Sequence, residues 1–213
     1  MYSNKHKLKP LICIGVGGHF RSIVGFINNA GYYLEKSIDY VSLQNTRQLN
    51  LNNILESRFS VKNLYFLIGI GDNYKRSIIY DLLKDNGIDD KQFPNIISRD
   101  SILSENVSLG FGNVVFPGAI VNAGTKISNF TIINTQSSVD HDCFIKNFSS
   151  IAPGAVLGGN VLIGSHTEIG IGATIKNNIT VGDKCVLGGQ AYLIRNMPSN
   201  SLYYGVPAKI IID

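Results

Sequence analysis

The sequence predicts a small α/β domain followed by a parallel β-helix, and three observations carry that expectation. An aliphatic residue returns at every sixth position from Ile97 to Leu193 without a miss. A mostly small residue stands four places after each of these from Leu103 onward, as at Ala119, Thr125, Ser137, Cys143, Ala155, Thr167 and Ala191. The first hundred residues instead alternate short apolar runs with helical patterns. A helical period of 3.6 would smear the aliphatics around the axis, and a period-2 strand would need turn signals long before this run ends. Six-residue repetition marks a β-helix, in which each hexad supplies one short strand and one corner and three hexads close a triangular coil. Within each hexad the aliphatic and the small residue two places before it are expected to face inward. Glycines such as Gly110, Gly158, Gly164, Gly170, Gly182 and Gly188, directly after the aliphatic, are expected to make the corner.

The first half reads as βαβα and a Rossmann-like parallel sheet. Leu8–Gly15 is an apolar run ending in glycine, followed by Val16-Gly17-Gly18-His19 and a helical pattern through Ile23, Phe26 and Ile27 to Gly31. A second strand is expected over Ser37–Leu43, then a weak helix near Leu49–Ser57. A third strand, Leu64–Ile68, runs into Gly69-Ile70-Gly71-Asp72-Asn73, and a clearer helix over Tyr74–Lys84 closes at Asn86-Gly87. A short strand over Asn95–Ser98 leads into the repeats, which sets domains of 1–98 and 99–213. Ligands of such a sheet bind at the carboxyl ends of its strands. That places Gly17, Gly18, His19, Asp39, Gly71, Asp72 and Asn73 along one edge. The glycine loop is one residue short of G-x-G-x-x-G, so it is weak evidence for a dinucleotide.

Composition narrows the class. The chain of 213 residues is 44% hydrophobic and 16% charged, which suits an ordinary globular protein. The net charge of +4 suits anionic small molecules. The sequence has no basic block or aromatic-interleaved patch of the kind nucleic acid requires, and no run approaching a membrane span or a signal peptide, so a cytoplasmic location is expected. Cys13 lies in an apolar strand and Cys143 and Cys185 occupy the small inward position of their hexads, so all three are expected to be buried small hydrophobes. His141 and His166 are 25 residues apart with no third histidine in the repeat, so a zinc site is not expected.

His141 is the candidate for chemistry. It stands two places after inward-facing Val139, hence at a corner, and is followed by Asp142, a carboxylate placed to orient an imidazole as a general base. One coil further on is Gly159, whose missing side chain is expected to leave room for a thin ligand.

Hexads of this form resemble the hexapeptide-repeat acyltransferases. GVGGH after the first strand, IGIGDNYKR after the third, VDHDC in the repeats and GVPAK near the end make the chain similar to sugar acyltransferases of the sialic acid O-acetyltransferase and bacillosamine-pathway N-acetyltransferase family. The likeness spans Leu8 to Ile212. It implies a left-handed β-helix, a homotrimer, acetyl-CoA in a groove between neighbouring prisms and a nucleotide-linked amino sugar on the small domain. In that family Gly17, Gly18 and His19 would lie near phosphates and sugar, Asp39 near the nucleoside, and Gly71, Asp72 and Asn73 in the same pocket. Arg76 would reach a phosphate and Asn134 the amino sugar. Gly159, Ile171, Gly172 and Gly189 would flank the CoA arm, with Lys209 near its nucleotide end. Each has a structural alternative: a tight turn for the paired glycines, a helix cap for His19 or Asp72, a solvated strand end for Asp39, a surface helix position for Arg76, a corner for Asn134 and the later glycines. Ser150 departs from the family, where a second histidine is often found, and is expected to hydrogen-bond the thioester.

The activity implied is N-acetylation of a nucleotide-linked 4-amino-4,6-dideoxy sugar by direct transfer, with His141 as base. Two alternatives remain: O-acetylation of sialic acid or a related sugar, and a non-catalytic repeat scaffold. The scaffold leaves the His-Asp pair and the α/β domain idle, and the outward Thr-x-Thr ladders of ice-binding prisms are absent.

Overall fold

A computed structural model of the chain describes residues 8–39 and 60–211. The weak helix expected near Leu49–Ser57 and most of the second expected strand lie outside the described residues. Contacts divide the chain into two compact units, Met1–Ile96 and Ile97–Asp213.

The first unit is a parallel sheet of β1 (Lys9–Ile14), β2 (Tyr32–Ile38) and β3 (Tyr65–Ile68) in the order β2-β1-β3. Central β1 is buried at four successive positions, Leu11 to Ile14, as a strand covered on both faces must be. Helix α1 (Gly18–Val24) is shorter than its pattern suggests: after Gly25 the chain continues in turns, with Phe26 N–H bonded to Ile23 and Ala30 N–H to Phe26. Strand β2 begins at Tyr32, five residues earlier than expected, because Tyr32 and Tyr33 follow Gly31 directly and pair with Lys9 and Pro10. Helix α2 (Asn73–Asp85) is capped by Asp72, and Asn86 closes it by bonding back to the Leu82 carbonyl. Burial drives the Cys13 thiol up to about 12, so it is an inert core group. The strand expected over Asn95–Ser98 is reduced to β4 (Ile96–Ile97).

The second unit is a left-handed parallel β-helix. Two-residue strands stack in three parallel faces, each pairing with the strand eighteen residues away. The first face includes Ile132–Ile133, Ser150–Ile151 and Glu168–Ile169; the second Ser138–Val139 and Val156–Leu157; the third Phe144–Ile145 and Leu162–Ile163. The second residue of each strand and the residue two places earlier form the core: Val139 with Ser137, Ile145 with Cys143 and Leu157 with Ala155 are each at most 1% exposed.

The corners correct one expectation. The glycines directly after the aliphatics do not turn the chain through left-handed backbone; they are needed because the next coil lies too close. A Cβ on Gly164 would sit 2.3 Å from the Gly182 carbonyl carbon, and one on Gly158 would sit 2.7 Å from Asn177 N. The left-handed residue comes two places later in every hexad from Gly112 to Gln190 and is usually not glycine: φ is 54–58° at Phe130, Gln136, Asp142, Phe148, Asn160 and His166. The cost of that conformation is of order 1–3 kcal/mol per residue. Side-chain stacking opposes it along one edge, where Phe130, Phe148 and His166 lie ring on ring with centroids 5.2 Å apart.

The interior is not wholly apolar. Thr131, Ser149, Thr167 and Cys185 form one inward column in which each side chain serves the neighbouring coil. Thr167 Oγ1–H donates to the Gly182 carbonyl at 2.7 Å and accepts from Cys185 N–H at 3.1 Å. Thr167→Val keeps the shape and removes both bonds, so it is expected to cost about 1–3 kcal/mol, whereas outward-facing Thr180→Val should change stability by less than about 0.5 kcal/mol. Urea midpoints at unchanged slope measure the difference.

Candidate active site

On the edge where the second face turns into the third, Ser138–Val139 ends and the chain passes through Asp140, His141 and Asp142 before Phe144–Ile145. Three interactions define this corner. Asp140 Oδ1 accepts from His141 backbone N–H at 2.8 Å and from Asn122 Nδ2–H, one coil earlier, at 3.1 Å. These two bonds hold the Asp140 carboxyl below the usual carboxylate range. Asp142, in left-handed backbone, turns its carboxylate onto the imidazole, and His141 Nδ1–H donates to Asp142 Oδ2 at 2.9 Å. That bond first, and the Asp140 charge second, raise the imidazole above its ordinary 6.5. With Nδ1 engaged as donor, Nε2 is left to accept a proton. Both side chains are more than half exposed, so the pair faces outward from the prism.

Gly159 does lie one coil above His141, but the imidazole itself occupies the space of the missing side chain. A Cβ on Gly159 would be 2.6 Å from His141 Cε1 and Nε2. The glycine therefore lets the ring lie flat against the next coil, which corrects the expectation of an empty slot for a ligand.

The first unit carries a cleft of about 330 Å³ lined by Gly15, Val16, Gly17, Gly18, His19, Asp39, Gly69, Ile70, Gly71, Asp72 and Lys75. Six residues chosen from the sequence thus converge on one wall. Gly17 has φ −74°, and a Cβ there would meet nothing within 4 Å. Neither a turn nor close packing requires glycine at this position, so the tight-turn alternative is set aside. Asp72 both lines the cleft and accepts from Lys75 N–H at 2.8 Å as the cap of α2. A larger cavity of about 530 Å³ between α1 and β2 is mainly apolar, lined among the described residues by Leu8, Val24, Ile27, Asn28, Tyr33 and Leu34.

Two residues differ from their expected roles. Arg76 is 2% exposed, and its guanidinium donates to the Ile70 carbonyl at 3.0 Å, the Gly71 carbonyl at 2.9 Å and Asn73 Oδ1 at 2.7 Å. It fastens the loop that forms the cleft rather than reaching into it, and neither Arg76 nor Asn73 is among the lining residues. Burial brings Arg76 down to about 9, which still leaves it charged at neutral pH. His19 lines the cleft, but burial, helped by the Arg76 charge, lowers its imidazole to about 4. It is uncharged at neutral pH and offers a phosphate no cation. Among the described residues that line the cleft, Lys75 in the first turn of α2 supplies an exposed ammonium.

A pH prediction follows from His19. The unfolded chain takes up its proton below about 6.5 and the folded protein only near 4, so its burial costs nothing above pH 6.5 and destabilises the fold progressively as pH falls toward 4. The loss reaches about 3 kcal/mol at the lower limit. Thermal melts from pH 7 to 4 should show His19→Gln losing less stability than the parent chain over this window.

The remaining candidates lie on other parts of the prism. Asn134, Ile171, Gly172 and Gly189 share the edge where the first face turns into the second, where Asn134 Oδ1 accepts from Thr135 N–H at 2.8 Å and Ile171 is 62% exposed. Ser150 is on the first face between Ile132 and Glu168. Lys209 is exposed on a final strand, Lys209–Ile210, paired antiparallel with Leu202–Tyr204. A single prism therefore presents His141 with Gly159 on one edge and the other proposed CoA contacts elsewhere.

No family model matches the chain. Among solved structures it is similar to the acetyltransferase domain of PglB from Neisseria gonorrhoeae, with 29% identity and a TM-score of 0.82 over 95% of this chain and all of that one. The same domain has been solved in complex with acetyl coenzyme A. A variant of perosamine N-acetyltransferase from Caulobacter crescentus, in complex with CoA and GDP-perosamine, is 28% identical with a TM-score of 0.85, over 96% of this chain and 97% of that one. These relatives are hexapeptide-repeat sugar N-acetyltransferases, and this chain is similar to them over nearly its whole length. WeeI from Acinetobacter baumannii, 21% identical with a TM-score of 0.80, shares the fold of these acyltransferases. Among the described residues no helix is long and apolar enough to cross a membrane. For a sugar acyltransferase the residues that sequence reasoning missed are Asn122, Gly124 and Asp140 around the dyad and Lys75 at the cleft. The signal that finds the first two is the eighteen-residue stack, which sets position 122 under 140 and 124 under 142.

Proposed function

We propose that the protein is an acetyl-CoA-dependent N-acetyltransferase acting on the amino group of a nucleotide-linked 4-amino-4,6-dideoxy sugar. The observation that carries this reading is the outward-facing His141–Asp142 pair, on a chain similar over nearly its whole length to enzymes solved with CoA and a nucleotide-linked amino sugar. The cleft of the α/β unit takes the nucleotide, with Gly17 and Gly18 as open backbone, Lys75 as the cation near phosphate, and Asp39, Gly71 and Asp72 around it. Arg76, Asn73 and His19 keep that cleft in shape.

The sugar amine attacks the thioester carbonyl of acetyl-CoA. As the C–N bond forms, His141 Nε2 takes the amine proton; the C–S bond then breaks and the proton passes to the departing thiolate of CoA. The carboxylate of Asp142 stabilises the imidazolium formed on the way, and a backbone N–H of the groove steadies the tetrahedral oxyanion. Holding both substrates together contributes more than the base itself.

The split of candidate contacts over two edges favours a homotrimer, in which the His141 edge of one protomer faces the edge carrying Asn134, Ile171, Gly172 and Gly189 of the next. Ser150 and Lys209 complete the CoA groove in that arrangement. Location in the cytoplasm, where acetyl-CoA and sugar nucleotides are made, accords with this activity.

Thiol release from acetyl-CoA is the test, measured with GDP-, UDP- and dTDP-linked 4-amino sugars beside free sialic acid. Turnover with one of the nucleotide-linked amines is expected. Turnover with sialic acid alone would replace N-acetylation by O-acetylation, and silence with all would remove the enzymatic reading. Light scattering that gives a monomer would remove the shared groove.

A further inference from the structure

Among the glycines of the β-helix, Gly124 stands one coil below Asp142, on the same edge as the dyad. It has φ +74°, and a Cβ built on it would lie 2.4 Å from Asp142 Oδ1. Such a contact is far inside any real carbon–oxygen separation, so a side chain at 124 and the observed position of the carboxylate exclude each other. The carboxylate is the acceptor of the bond that fixes the imidazole, and that bond spans adjacent residues of one tight corner. The backbone of Asp142 has little freedom to retreat, being left-handed with its N–H bonded to the Ala123 carbonyl on the coil below, so the collision is relieved by turning the carboxylate, which takes it off the imidazole. The backbone N–H of Gly124 is itself held by Asn106 Oδ1 at 3.1 Å, so the glycine is anchored too.

We infer that Gly124 is a positioning residue for the proton-transfer step: the space it leaves under Asp142 sets the carboxylate on the imidazole of His141. This rests on the proposed role of His141 as base. Gly159 performs the matching service from above, where the imidazole fills the place of a side chain, so the dyad is framed by two glycines one coil below and one coil above it. The charged groups around the imidazole are Asp142 on its ring and Asp140 on its backbone N–H, and only Asp142 is displaced by a side chain at 124.

The experiment compares Gly124→Ala with Gly154→Ala. Gly154 has nearly the same backbone, φ +68°, but a Cβ there meets nothing within 4 Å, so it reproduces the strain of an L-residue without the collision. The His141 imidazole is titrated by NMR in unliganded protein, its signal assigned by its loss in His141→Asn. Gly124→Ala is expected to move the titration down toward the ordinary 6.5, while Gly154→Ala leaves it at the parent value. In the acyl-transfer assay the acid limb of the pH profile should move down with it, and the plateau should fall by up to about a hundredfold. A titration unchanged in Gly124→Ala, or lowered equally in Gly154→Ala, overturns the inference.

Should Gly124→Ala fail to fold, the double variant Gly124→Ala/Asp142→Ala keeps the question open to decision. With the carboxylate gone the collision is gone, so the double variant should fold and melt with Gly154→Ala; if it fails as the single one does, the inference is wrong. Because the titration needs no substrate, failure here is distinct from a failure to find acetyl transfer.

Discussion

Replacing His141 by alanine is expected to lower kcat by about a hundred- to ten-thousand-fold, the range a positioned general base contributes. The imidazole is exposed and takes no part in the packed interior, so the melting temperature should stay within the small change typical of a surface substitution. Binding of CoA and of the nucleotide-linked sugar should persist, since the nucleotide cleft belongs to the α/β unit and the ring lies beneath Gly159 rather than lining that cleft. The loss should therefore appear in kcat with little change in KM, the pattern of an interaction made only in the transition state. Asp142→Asn, which keeps the shape of the pair and removes its charge, should fall between the two. An alanine variant that turns over at the parent rate while still binding both substrates would end the proton-transfer assignment.

The second large effect is on the cleft. Arg76→Ala is expected to destabilise the protein by about 2–4 kcal/mol, because a buried side chain is removed and the half-buried Ile70 carbonyl, the Gly71 carbonyl and the Asn73 amide oxygen lose their shared donor. Arg76→Lys should recover little. One ammonium cannot reproduce the planar fork that holds carbonyls with Nη1 and an amide with Nη2. In variants that remain folded at low temperature, the KM for the nucleotide-linked sugar should rise with kcat less affected, since the loop from Gly69 to Asp72 loses its anchor while the His141 edge is untouched. Denaturant unfolding and steady-state kinetics measure the two parts separately. If Arg76→Ala unfolds at the parent denaturant concentration, the guanidinium is not fastening that loop.

The repeat was legible because each aliphatic has one destination. Val139, Ile145, Ile151 and Leu157 all point into a prism too narrow to hold anything else, so the period survives in the sequence intact. The corners were less legible, because close approach and left-handed backbone both select glycine. Gly158 and Gly164 serve the first need, while the second is met in the same hexads by Asn160 and His166. His141 and Asp142 were found as neighbours in sequence, whereas Asn122 acts on Asp140 and Gly124 on Asp142 across a coil, which required counting by eighteen rather than six. In the α/β unit the glycine loops pointed to the cleft, but the fate of Arg76 was missed although its signal was present. Arg76, Ile79 and Leu83 stand at i, i+3 and i+7 and are the buried stripe of their helix. An arginine on that stripe belongs inside, where carbonyls at the carboxyl end of β3 can use its donors.

The most direct test of the base is to follow one group by two methods. The titration of the His141 imidazole by NMR in the CoA complex and the acid limb of the kcat profile for acetyl transfer should coincide in the parent protein, above the ordinary value of 6.5. In Asp142→Asn both should move downward together, since the carboxylate charge that strengthens the bond to the protonated imidazole is gone. An acid limb that stays in place while the imidazole titration falls would show that some other group receives the amine proton.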